Sequence, residues 1–166
     1  MKFIFSENDE FLCGDLVYRE SEYSIDFTCS SSKQLEFKTG DQGCMSLTAG
    51  TLQLEVGVES REILYPWGFF PIMNIEARAI DVPIFKGGSI IVDPEGFDLL
   101  EGVSWDIPGS NSWKSIREQD GGWIYIGPDK VLFDKGSYVE FASGAIIGLK
   151  DGDISCIFIR PRFIRE

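Results

Sequence analysis

The chain has 166 residues, 43% hydrophobic and 13% aromatic, which is enough apolar material for one packed domain and too much for global disorder. Fifteen basic against 27 acidic side chains leave a net charge of −12, which argues against a nucleic-acid binder working through phosphate contacts. There is no histidine, so Ser-His-Asp and Cys-His nucleophiles, histidine general bases and most zinc sites are excluded.

The N-terminus offers three apolar residues, Phe3-Ile4-Phe5, before Ser6-Glu7-Asn8-Asp9-Glu10. A secretory signal needs an apolar stretch of about 7–15 residues, so cytoplasmic residence is expected. The longest apolar runs are only a few residues, and no membrane span is expected.

Alternation of apolar and polar residues follows at Tyr23–Cys29, Leu35–Lys38 and Leu52–Val58, the period of strands with one buried face. Leu52–Val58 leads through Glu59-Ser60-Arg61-Glu62 into Ile63-Leu64-Tyr65, which reads as a hairpin. Ile72–Ile80 has helix formers but sits between Pro71 and Pro83, leaving room for two or three turns. Pro83 and Gly87-Gly88 punctuate a candidate junction at Ala79–Gly88. Beyond it, Ile90–Val92, Trp123–Ile126, Val131–Phe133 and Cys156–Ile159 are apolar on both faces, as in doubly covered strands. Ser112–Glu118 could form one helical turn. Ala145–Leu149 and Ile154–Ile159 flank Lys150-Asp151-Gly152-Asp153, where Asp-Gly supplies the positive φ angles of a type I′ hairpin.

These signals predict an all-β chain of roughly ten to twelve strands. The expected architecture is a mostly antiparallel sandwich or partly open barrel with short helical turns, in a single domain 1–166. Both hairpins follow a small residue and glycine, Ala49-Gly50 and Ser143-Gly144, and precede an aromatic and a proline. Two related β halves, 1–83 and 84–166, are therefore an open alternative to recurrence of a common β pattern. The first stretch holds 6 basic and 14 acidic residues and the second 9 and 13, so acid is concentrated towards the N-terminus.

Cys13, Cys29, Cys44 and Cys156 form no C-x-x-C pair, and Cys29 and Cys156 continue apolar strand patterns. Free structural thiols are expected rather than disulfides or a metal site. The acids of Asp93–Asp98 and Asp151-Gly152-Asp153 read as solvated turns, since neither supplies the ligand-rich loop of a calcium site. No catalytic residue, metal or cofactor is expected. Pro66-Trp67-Gly68-Phe69-Phe70-Pro71 and the group Trp105, Trp113 and Trp123 either plug the open ends of the β structure or form a binding surface. A sugar platform would need amide partners, and only Asn74 and Asn111 are close in sequence.

The stretch Ala49–Val56 running into Tyr65–Pro71, with Val139–Gly144, Gly148–Gly152 and Ile159-Arg160-Pro161, resembles small bacterial proteins of the polymorphic-toxin immunity type. Gly87–Val92, Gly102-Val103 and Trp123–Gly127 are similar to the immunity protein twenty-one family. The resemblance implies a cytoplasmic protein that neutralises a toxin partner. Acidity fits such a role, because nuclease toxins are often basic and an acidic inhibitor steers to them. The expected partner surface is Glu59, Glu62, Trp67, Phe69, Asp93, Glu95, Asp98, Trp105 and Asp106. A protein partner, such as a basic toxin domain, is expected rather than nucleic acid or membrane. The alternative is a small-ligand or carbohydrate-binding β domain.

Overall fold

A computed structural model describes residues 1–8, 10–129 and 136–165. Strands take up 52% of the described residues and helix 7%. Two mixed, mostly antiparallel sheets face each other across one apolar core, with no closed barrel.

The larger sheet contains β1 (Lys2–Glu7), β7 (Glu76–Ala77), β8 (Lys86–Asp93), β10 (Lys114–Arg117), β11 (Ile124–Gly127), β12 (Ser137–Ala142), β13 (Ala145–Lys150) and β14 (Asp153–Ile159). Their spatial order is β1-β8-β12-β13-β14-β11-β10-β7. The smaller sheet contains β2 (Gly14–Arg19), β3 (Ser24–Cys29), β4 (Cys44–Ala49), β5 (Leu52–Gly57), β6 (Ile63–Phe69), β9 (Ser104–Asp106) and β15 (Arg162–Ile164). It is ordered β15-β2-β3-β6-β5-β4-β9. The strands exceed the expected ten to twelve because β7, β9 and β15 have only two or three residues, too few to show an alternation. The apolar run Val131–Phe133 lies outside the described residues.

Each sheet is centred on a three-stranded meander. Ala49 and Leu52 flank the two-residue turn Gly50-Thr51, and Ala142 and Ala145 flank Ser143-Gly144. Leu52, Leu54 and Val56 face the core from one meander, and Ala145, Ile147 and Leu149 from the other. Around them the two sheets share one order of strand senses. In β15-β2-β3-β6-β5-β4-β9 the outermost pairs are parallel and the four inner pairs antiparallel. The order β7-β10-β11-β14-β13-β12-β8 repeats this, with β1 added outside β8. The chain passes between the sheets five times, after β1, β6, β8, β9 and β14. β7 follows β6 but joins the other sheet beside β10, and β15 follows β14 but returns beside β2. Neither 1–83 nor 84–166 therefore makes a sheet by itself.

β8 ties the sheets together at one edge. Its Ile91 bridges to Glu62, and the Val92 N–H donates to the Arg61 carbonyl at 2.8 Å. Of the strands expected to be apolar on both faces, those at Trp123–Ile126 and Cys156–Ile159 are covered on both, whereas in Ile90–Val92 the outward Ile91 is only half-buried. The outward side of the larger sheet carries Ile116, Tyr125, Ile146, Cys156 and Phe158, roofed by Ile80 with Val82. Asp151 and Gly152 turn the β13–β14 hairpin with φ 53° and 79°, the positive pair of a type I′ turn.

Two local expectations are overturned. Leu35–Lys38 is not a strand but the core of helix α1 (Ser32–Thr39). Ser31 Oγ accepts the Gln34 N–H at 3.2 Å and Gly40, at φ 78°, ends the helix, so the serine N-cap and the glycine stop outweigh a four-residue alternation. Leu35 and Lys38, three apart, share the inward face and leave Phe37 85% exposed. Ile72–Ile80 is not a helix. Its bounding prolines keep it extended across the end of the sandwich, where Ile72 and Ile75 pack on the main core and Ile80 on the outer cluster. The one-turn expectation at Ser112–Glu118 becomes a short 3-10 turn at Ser110–Ser112 followed by β10. No helix of the described residues is long and apolar enough to cross a membrane.

Candidate functional site

The outward face of the smaller sheet is the site candidate. Strand register places Asp106 beside Thr48, Thr48 beside Gln53, and Gln53 beside Trp67, a row across β9, β4, β5 and β6. At the usual strand spacing the row spans about 14 Å. The Thr48 hydroxyl donates to Asp106 Oδ1 at 2.6 Å, which orients both side chains. Gly68 separates Trp67 from Phe69 at φ 117°, a backbone that favours glycine, and a Cβ there would come within 3.1 Å of the Thr51 carbonyl. Phe69 stands 54% exposed and meets Tyr23 edge-on at 6.4 Å.

The middle of the face is partly desolvated. Burial raises the Glu55 carboxyl above its ordinary range, opposed by the Cys44 thiol and the Trp67 indole nearby. The buried indole N–H of Trp67 lies close to that carboxyl but lacks full hydrogen-bond geometry. Burial pushes the Cys44 thiol up to about 11 and the Tyr65 phenol up to about 12, with Glu55 adding to both. Tyr65 stacks on Phe27 at 5.5 Å with an interplanar angle of 9°.

The expected site residues fall into three groups. Trp67, Phe69 and Asp106 share the face just described. Trp105 lies on the β9 edge with Asp98 in the loop beside it, while Glu59 sits on the β5–β6 turn and Asp93 and Glu95 at and just after the end of β8. The β5–β6 turn and the loop after β8 line a common recess with Arg61, Phe97 and Asp98, and Phe97 meets Trp105 at 5.3 Å. Trp105 is 38% exposed. Within this group Glu95 holds the N-terminal ammonium at 2.6 Å, Asp93 accepts the Glu95 N–H, and Glu59 accepts the Asp41 N–H. Glu62 belongs to neither group. Its carboxylate pairs with Lys38, the two side chains 14% and 6% exposed, because helix α1 lays Lys38 over the start of β6. Glu62 is therefore a structural partner and not a rim charge.

The other two tryptophans are half-buried, as Trp67 is. Trp113 packs against the main core and Trp123 against the outer cluster, with the Arg160 guanidinium 5.8 Å from the Trp123 ring centre. Trp113 also lines a recess of about 250 Å3 at the open end of the sandwich, with Asn111, Ser115, Thr51 and Phe70. Thr48, Gln53, Glu55 and Phe97 were missed from sequence. Alternation along β5 already put Gln53 and Glu55 on the polar face, but only strand register reveals their neighbours. All four cysteines are free thiols, with Cys13 exposed and Cys156 buried.

Rings flank hydrogen-bonding and acidic groups on rigid strands, an arrangement suited to holding another surface. No known family matches the chain, no curated protein matches it, and no solved structure matches it.

Proposed function

We propose that this protein is a binding module that captures and neutralises a basic protein partner, as an immunity protein does a toxin. It does so in the cytoplasm, on the outward face of its smaller sheet. The observation that carries this reading is the outward row Asp106–Thr48–Gln53–Trp67, extended by exposed Phe69, with Trp105 and Phe97 meeting at the β9 edge, where Trp105 is in register with core-facing Leu47. Exposed rings on strands lose little conformational freedom on binding and supply hot-spot contacts. A net charge of −12 steers a cationic partner towards them.

The test is co-expression with the product of the adjacent gene. The protein should relieve growth arrest caused by that product and co-purify with it. Trp67→Ala should weaken the complex by about 2 kcal/mol, titrated at a temperature where the variant is fully folded. A lower melting temperature with unchanged affinity would remove Trp67 from the surface.

A second reading, a small-ligand β domain, is favoured by the recess beside Trp113 and Asn111. Monosaccharide titration monitored by tryptophan fluorescence separates the two, since Trp113→Phe should abolish a signal from that recess and leave partner capture intact.

A further inference from the structure

A different recess, of about 400 Å3, opens between β2 and β10 and is lined by Tyr18, Glu20, Tyr23, Ile72, Met73 and Arg117. Its charged members are Arg117 and Glu20. Arg19, Arg78, Arg162 and Arg165 each pair with a carboxylate, whereas Arg117, like Arg61 and Arg160, has no carboxylate partner among the described residues. The Arg117 guanidinium lies 4.7 Å over the ring of Phe163, on strand β15 of the smaller sheet. Stacking uses the face of the guanidinium and leaves its N–H edge for a planar anion.

The surroundings narrow the ligand. Tyr18 is fully buried and its hydroxyl is engaged with the Phe70 carbonyl at 2.8 Å, so the phenol is floor and not reader. Burial raises that phenol above its ordinary range, Glu20 adds to the rise and Arg117 opposes it, so one ring feels both charges. Ile72, Met73 and Tyr23 form an apolar wall, held by the Tyr23 hydroxyl donating to Met73 Sδ at 3.0 Å. Glu20 is 3.5 Å from the exposed Arg165, which leaves its carboxylate open to a second cation. A simple anion would be repelled by Glu20 and by the net charge. A zwitterion satisfies both ends.

We propose that this recess binds a small apolar α-amino acid, its carboxylate on Arg117, its ammonium on Glu20 and its side chain against Ile72, Met73 and Tyr23. This site adjoins the Phe69 end of the partner-binding face through Tyr23, and the proposal does not depend on that reading.

The probe is L-phenylalanine, with the Met73 methyl signal followed by NMR on the intact protein. The expected result is a saturable shift with a Kd of about 1 mM or tighter. Phenethylamine and 3-phenylpropionate, which each lack one charge, should bind at least about tenfold more weakly. Arg117→Met, which keeps an apolar contact with Phe163, should lose at least about tenfold in affinity at an unchanged melting temperature. If that variant fails to fold, Glu20→Gln carries the test, because it should make 3-phenylpropionate bind as well as phenylalanine. An unmoved Met73 signal at saturating phenylalanine, equal binding of phenethylamine, or full affinity in the Arg117 or Glu20 variant overturns the proposal.

Discussion

Lys38 and Glu62 form the most enclosed ion pair of the described residues, and they do so beneath a helix with little apolar surface of its own. Removing one partner strands the other charge away from water. Lys38→Met should therefore cost about 3 kcal/mol in a urea melt, and pairing it with Glu62→Leu should recover most of the loss. Glu55 acts in the opposite sense. Its folded pKa is raised above the ordinary 4.5 by burial, so the native state binds more protons than the unfolded one as pH climbs from that value. Stability from this group is full below pH 4.5 and is lost as pH rises through the folded pKa. Glu55→Gln should make the protein more stable than the parent at neutral pH, with the advantage shrinking as pH falls towards 4.5 in denaturant titrations. Thiol reactivity should grade with depth. Cys13 should alkylate first under native conditions, and Cys156, buried with its thiol pushed up to about 11, last, as mass spectrometry of timed quenches can show.

Among the elements, long strands were the readable ones. Tyr23–Cys29, Leu52–Val58 and Cys156–Ile159 announced β3, β5 and β14 because burial on one or two faces leaves a direct imprint on residue type. Helix α1 was hidden because its stability lies in caps and in one buried lysine rather than in an apolar stripe. The likeness of the two meanders was obscured by where the glycine falls. Matching Gly50 to Gly144 sets Leu54 against Gly148, whereas matching the turns themselves sets Leu54 against Ile147, and both of those face the core. Of the site, exposed aromatics and acids were legible but their grouping was not. No local pattern says that Asp106 meets Thr48, or that Glu62 turns inward to Lys38. β15 was invisible at three residues, yet Phe163 contacts both Tyr18, at 5.4 Å between rings, and Arg117. Phe163→Ala should cost roughly 2 kcal/mol, less than a fully enclosed phenylalanine because the ring is half-buried, and thermal unfolding will measure it.

At the scale of the whole molecule, the excess of acid over base predicts how a cationic partner arrives. Asp106→Lys with Glu59→Lys should slow association about tenfold at low salt and little at high salt, while Trp67→Ala should act on dissociation. Stopped-flow binding across a salt series separates the two effects. The interlocking of the sheets bears on how the chain is made. A nascent chain emerges N-terminus first, so β2 is available long before the strand that covers its edge. Until Ile164 has cleared the ribosome, the backbone of Val17–Arg19 lacks the partner that the finished fold supplies. A bare strand edge is a template for any extended segment, including β15 from a neighbouring polysome product. Rapid refolding at high protein concentration should accordingly yield reciprocal dimers in which two molecules trade their C-terminal strands.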